Sequence, residues 1–134
     1  MNAKVYRILD ANFNRAKEGL RVCEDICRFV YDKRAATRSL KDVRHELNAV
    51  MTALQWKEGV NARDVGSDVG RASTLMEMKR RTAGDVLFAN LQRAKESVRV
   101  LEEMLKVVKN GRAEKAKGIR YRIYQIERDL IQKI

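Results

Sequence analysis

The sequence predicts an all-α domain built from a duplicated helical hairpin, and three observations carry that expectation. Proline is absent, glycine occurs only seven times in 134 residues and charged side chains make up 35% of the chain, a composition suited to long solvated helices. Apolar residues recur at helical spacing over several long stretches. The stretch Asp10–Asp25 recurs at Phe88–Glu103, an offset of 78 residues, with nine of sixteen positions identical.

By length the chain is one domain, large enough to bury a single core without staples. The first helix is expected from about Ala3 to Tyr31, because Val5, Ile8, Leu9, Ala16, Leu20, Cys23, Ile26, Cys27 and Val30 cluster around one face. A second runs from about Ala35 to Trp56 on the spacing of Ala36, Leu40, Val43, Leu47, Val50, Met51 and Leu54. Residues 84–109 repeat the first helix, with Gly111 as the stop signal after them. Ile119, Ile123, Ile126, Leu130 and Ile134 then define a fourth helix that echoes the second at an offset of 76, Lys41-x-Val43-Arg44 aligning with Lys117-x-Ile119-Arg120. The repeat unit is therefore a hairpin, occupying about 3–56 and 84–134, and two copies can bury their apolar stripes against each other as a pseudo-twofold bundle of four main helices. Between them, about 57–73 form a long glycine-bearing loop, a length that in a small domain signals function or disorder. Residues 74–81 are expected to add one or two turns leading back into the bundle.

Basic residues exceed acidic ones to give a formal net charge of +11, so the surface attracts anions. The charges are interleaved, as in KEGLR and KDVRHE, and no helix-turn-helix or aromatic platform is visible, which argues against nucleic acid as the partner. Cys23 and Cys27 lie four apart on one helix, a poor geometry for a disulfide and an incomplete zinc set, and read as small core residues in a reducing compartment. The N-terminus lacks the apolar run of a signal peptide and no stretch approaches a membrane span, so the expected location is the cytoplasm. A homo-oligomer remains open.

Most of what recurs between the repeats is polar, which a repeated core does not require. On a helical wheel of about 100° per residue, Asn12 falls at the centre of the apolar arc, Arg15 about 60° to one side and still inside it, and Glu18 at its edge; Asn90, Arg93 and Glu96 repeat the pattern. Lys17, Arg21 and Glu24 point outward on the same wheel. Two inward Asn-x-x-Arg-x-x-Glu triads would either cross-pair, Arg15 with Glu96 and Arg93 with Glu18, or face a common cleft; a structural network and a binding site fit equally well. Arg44 and Arg120 border the apolar arcs of the second and fourth helices and can join either arrangement. In the central loop Asp64 and Asp68 flank Gly66, with Arg63, Gly70 and Arg71 beside them. Such a turn can cradle a phosphate and hold Mg²⁺, and a solvated linker would share its composition.

The segments RILDANFNRAKEGLRVCEDICRF, LKDVRHEL, ARDVGSDVG, FANLQRAKESVRVLEE and IRYRIYQIE, in this order, closely resemble the helical hydroxymethylpyrimidine-phosphate kinase family of thiamine biosynthesis, whose modules occur alone or fused ahead of thiamine-phosphate synthase. The family loop has the form A-R-D-x-x-G-D-x-G; Ala62, Arg63, Asp64, Asp68 and Gly70 match it, and Ser67 stands where glycine is usual. The resemblance implies ATP-dependent phosphorylation of 4-amino-2-methyl-5-hydroxymethylpyrimidine phosphate to its diphosphate, with ATP and Mg²⁺, and the synthase as fused or functional partner. On that basis Arg15, Arg93, Arg44, Arg120 and Arg63 are expected to meet phosphate charge, Asn12 and Asn90 the pyrimidine or a phosphate, Glu18 and Glu96 to complete the substrate contacts, and Asp64 or Asp68 to hold Mg²⁺. The alternative is an accessory module without catalysis that binds a phosphorylated precursor; a basic nucleic-acid binder is a third reading.

Overall fold

The computed structural model describes residues 3–54, 56–73, 79–108 and 111–134, with the Trp56 side chain left out. Among the described residues all regular structure is helical: α1 (Ala3–Phe29), α2 (Arg34–Thr52), α3 (Trp56–Asn61), α4 (Ala83–Val108) and α5 (Ala113–Ile131). Helix α1 packs most extensively on α4, each pairs with the helix that follows it in its own hairpin, and α2 closes the ring against α5. That is the all-α bundle expected, and its contacts are those of a twofold exchange of α1 with α4 and of α2 with α5. Arg122 of α5 pairs with Glu46 of α2. These occupy the same position of the two repeats, offset by 76, as side chains beside a twofold axis must.

The core runs through the bundle as Leu9, Leu20, Leu40, Leu47, Leu87, Leu91, Leu101, Ile119 and Ile123, all essentially out of solvent. Each contributes about 1.5–3 kcal/mol by burial. The α1–α4 crossing is close because its centre is small. A Cβ on Gly19 would lie 3.1 Å from the Asn90 carbonyl oxygen and 3.8 Å from the Ala94 Cβ. Both hairpin turns pass through one left-handed residue, Asp32 (φ 52°) and Gly111 (φ 75°). Gly111 carries the conformation at no steric cost, and aspartate is among the few residues that tolerate it.

Helix α4 begins where Thr82 and Asp85 form a capping box. The Thr82 Oγ1 accepts the Asp85 amide at 3.0 Å, and the Asp85 Oδ2 accepts the amides of Thr82 and Arg81 at 3.2 Å. Two boundaries differ from the sequence reading. Helix α1 ends at Phe29, not Tyr31, as the chain turns through Asp32; α2 ends at Thr52, not Trp56. The central segment is also not wholly irregular. Its first residues form α3, which rests on α1 through Gly59, where a Cβ would stand 3.0 Å from the Asp10 Cβ. The turns expected over 74–81 fall largely on 74–78, outside the described residues.

Candidate functional site

The two triads do not turn inward as the sequence suggests. Asn12 is buried, at 5% exposure, but its amide donates to the Ile8 carbonyl at 2.9 Å and its Oδ1 accepts from Arg15 at 3.4 Å. Asn90 makes the matching bond to the Val86 carbonyl at 2.8 Å. Arg15, Glu18, Arg93 and Glu96 are all exposed, and neither crossed pair forms among the described residues. The cause is the phase of the stripe. Ala16, Cys23 and Cys27 lie at its middle, so the buried face is displaced towards Glu24 and away from Arg15.

That displacement buries a different pair of charges. Glu24, expected to point outward, receives the Arg44 Nε at 2.9 Å and Nη2 at 3.4 Å, and its repeat-two counterpart Glu102 receives the Arg120 Nε at 2.9 Å. Arg21 and Arg99 approach the same two carboxylates from solvent, and Glu102 raises the Arg120 pKa above its ordinary value. The recurring polar residues thus clip the two helices of each hairpin together, one buried ion pair per repeat. Arg44 and Arg120 are committed to that task.

On repeat one, the loop after α3 folds back over α1. Arg63 grips Asp10 with two hydrogen bonds, Nε at 2.6 Å and Nη2 at 2.9 Å, which raises its own pKa. Asp64 accepts the Ser67 amide at 3.2 Å and the Ser67 hydroxyl, so its carboxyl titrates below the usual range, with Arg7 adding to the effect. Asp68 accepts the Gly70 amide at 2.9 Å. An open groove of about 760 Å³ results, lined by Lys4, Arg7, Asp10, Asn12, Arg15, Glu18, Arg63, Asp64 and Asp68. It collects Asn12, Arg15, Glu18, Arg63, Asp64 and Asp68 and leaves out Arg93, Asn90, Glu96, Arg44 and Arg120. The sequence reading missed Lys4, Arg7 and Asp10. Asp10 had a signal, because repeat two carries Phe88 there, and a polar departure from the repeat marks specialisation of one half.

A second hollow of about 280 Å³ adjoins the first and shares Asp10, Asn14 and Arg63 with it. Leu9 and Met51 form its floor, and α3 contributes Gly59 and Val60 to one side. The Lys17 ammonium lies 5.3 Å from the centre of the Phe13 ring, also in its lining.

No cluster of three or more His, Cys, Asp or Glu with metal-binding arrangement occurs among the described residues. Asp64 and Asp68 nonetheless suit Mg²⁺, which typically takes one or two protein carboxylates with phosphate oxygens and water completing its shell. Both line the charged groove, each retains acceptor capacity, and the Ser67 hydrogen bonds hold the Asp64 carboxyl below its usual range.

The ThiD2 family matches residues 7–129. The chain belongs to the ThiD2 family. It is 41% identical over 128 residues to a protein of Thermosynechococcus vestitus named thiamine-phosphate synthase, covering 95% of this chain and 35% of that protein. Proteins of the same name from Nostoc punctiforme and Rhodopirellula baltica are 40% identical over 128 residues and 37% over 127, covering 95% and 94% of this chain and 35% and 34% of theirs. The ThiD2 chain thus spans about a third of the length of these relatives. No solved structure matches it. Among the described residues no helix is long and apolar enough to cross a membrane.

Proposed function

We propose that this ThiD2 chain acts in thiamine biosynthesis as a phosphotransferase, converting 4-amino-2-methyl-5-hydroxymethylpyrimidine phosphate and ATP to the pyrimidine diphosphate and ADP. The observation that carries the reading is the groove of repeat one, where Arg15, Arg63, Arg7 and Lys4 line one open space together with Asp64 and Asp68. The acceptor arrives as a phosphate monoester. One of its anionic oxygens forms a bond to the γ-phosphorus of ATP as the bond from that phosphorus to the β–γ bridging oxygen breaks, and ADP departs with the electron pair. No strong base is required, because the nucleophile is already ionised. Positioning and charge neutralisation suffice, and both are within the reach of guanidinium groups.

Arg15, which lines the groove, neutralises acceptor phosphate. Arg63, fixed by Asp10, presents its outer edge to the same anion. Asp64 and Asp68 would hold Mg²⁺, which supplies charge neutralisation on the ATP phosphates. The unphosphorylated pyrimidine alcohol lacks both the anchoring charge and an ionised oxygen, so it is expected to be a poor substrate or none. Purified protein with ATP and Mg²⁺ should convert the monophosphate to the diphosphate, read by coupling to thiamine-phosphate synthase, and leave the alcohol unchanged.

One observation favours a second reading, an accessory module that binds the phosphorylated pyrimidine without catalysis. The relatives bear the synthase name and extend well beyond the span matched here. Saturable binding of the monophosphate with no diphosphate formed would establish that reading; absence of both would remove each of them.

A further inference from the structure

The two repeats differ where the smaller hollow lies. At offsets of 78 and 76, Phe13, Lys17, Asn48 and Met51 correspond to Leu91, Lys95, Tyr124 and Glu127. In repeat two the corresponding side chains are tied together. Lys95 donates to Glu127 at 2.8 Å, lies 4.9 Å from the centre of the Tyr124 ring and is only 8% exposed, while Leu91 is fully buried. In repeat one Met51 stands where the carboxylate would be, so Lys17 has no partner there and lies over Phe13 instead. Asn48 stands where the tyrosine would be and makes no side-chain hydrogen bond among the described residues. The hollow is what these exchanges leave, and α3 gives it a wall.

An open, apolar-floored hollow forgoes the contacts that repeat two makes, so stability alone does not account for it. Its lining combines two aromatic side chains, Tyr6 and Phe13, with two amides, Asn14 and Asn48. Aromatic faces receive a planar ring, and carboxamides offer both donor and acceptor to ring nitrogens and exocyclic amines. Its volume lies near the lower end of small-molecule pockets, roughly 300–1,000 Å³, which suits one ring better than a whole nucleotide. Asp10, Asn14 and Arg63 line both hollows, so a ring in the smaller one carries its phosphate towards the arginines of the larger.

We propose that the hollow between α1, α2 and α3 is the ring subsite, taking a single heteroaromatic ring whose phosphate occupies the adjoining groove, with Phe13 and Tyr6 contacting the ring and Asn48 reading its polar edge. Repeat two has an open hollow of about 380 Å³ beside Lys95 and Tyr124, but there the lysine is held by Glu127 and a tyrosine ring stands where repeat one has Asn48. The assignment rests on the pyrimidine-phosphate reading above and adds where and how the ring is recognised.

Calorimetric titration with the pyrimidine monophosphate and with ribose 5-phosphate tests it, since the second ligand keeps a phosphate and lacks the aromatic ring. The wild type should bind the first at least tenfold more tightly. Asn48→Tyr, which installs the repeat-two residue, should abolish that preference, whereas the mirror change Tyr124→Asn should leave it within twofold. Should Asn48→Tyr fail to fold by circular dichroism, Phe13→Leu decides: it keeps an apolar side chain without the aromatic face and should weaken monophosphate binding at least threefold with ribose 5-phosphate unaffected. A wild-type preference that a folded Asn48→Tyr or Phe13→Leu protein retains in full overturns the ring subsite alone. Failure of the wild type to bind the monophosphate overturns the functional reading and this assignment with it.

Discussion

Single side chains with the same identity in both repeats have different tasks, and that difference can be measured. Arg15 and Arg93 are both exposed, so replacing either by alanine should change stability by no more than about 0.5 kcal/mol. Only Arg15 lines the charged groove, so Arg15→Ala should raise the KM for the pyrimidine monophosphate at least tenfold while Arg93→Ala leaves it within twofold. Equal effects would place the site elsewhere. The lysines reverse the order: Lys95 is buried in an ion pair with Glu127, and Lys95→Ala should cost about 1.5–3 kcal/mol in denaturant titration, the range for a hydrogen bond to a charged group. Lys17→Ala should cost far less. Cys27 adds a pH dependence. Burial pushes its thiol from the ordinary 9.0 up to about 11, so the folded state favours the protonated form. Its contribution is present in full below pH 9 and is lost as pH rises through about 11, and Cys27→Ala should remove that part of the alkaline destabilisation.

At the scale of helices, the buried ion pairs decide how each hairpin closes. Glu24→Ala leaves the Arg44 guanidinium without its carboxylate between α1 and α2, and Glu102→Ala does the same to Arg120 between α4 and α5. Each should cost about 3–5 kcal/mol in thermal or chemical unfolding, as removal of one member of a buried pair does. A cost under about 1 kcal/mol in both would mean the pairs are solvated. The sequence made the helices, their pairing and the duplication legible, because apolar spacing and recurrence are local signals. It misplaced the inward charge because the wheel was centred on Asn12, and a modest error of phase moves Arg15 out and Glu24 in. The phase is set by how closely α1 and α4 approach at Gly19 and Ala94, a tertiary fact. Helix α3 was hidden for a similar reason. Six residues are too few for periodicity to declare, and α3 rests on packing of Gly59 against Asp10 and on the Arg63 clamp that follows it. The loop residues Arg63, Asp64 and Asp68 were legible as chemistry, while their meeting with Arg15 and Asn12 depended on that clamp.

Over the whole molecule, the net charge of +11 and the local arginines would both draw in the phosphorylated ligand proposed above, and they would act on different rate constants. A diffuse field speeds encounter and is screened over about 10 Å at 0.1 M salt and about 3 Å at 1 M, whereas a guanidinium in contact with a phosphate chiefly slows departure. The basic groove beside the α1–α2 turn, which includes Arg34 and Arg38, offers a way to separate them. It lies some fifteen residues along α1 from Arg15, about 20 Å by helical rise. Reversing both charges with Arg34→Glu and Arg38→Glu lowers the net charge by four without touching the site. In stopped-flow binding of the pyrimidine monophosphate, that variant should associate several-fold more slowly at low salt, converge on the wild type at high salt and dissociate at an unchanged rate. Arg15→Ala should do the opposite, raising dissociation at least tenfold at every salt concentration. If the distal reversal alters dissociation as much as Arg15→Ala does, the ligand sits at the α1–α2 turn, and the groove of repeat one loses its claim.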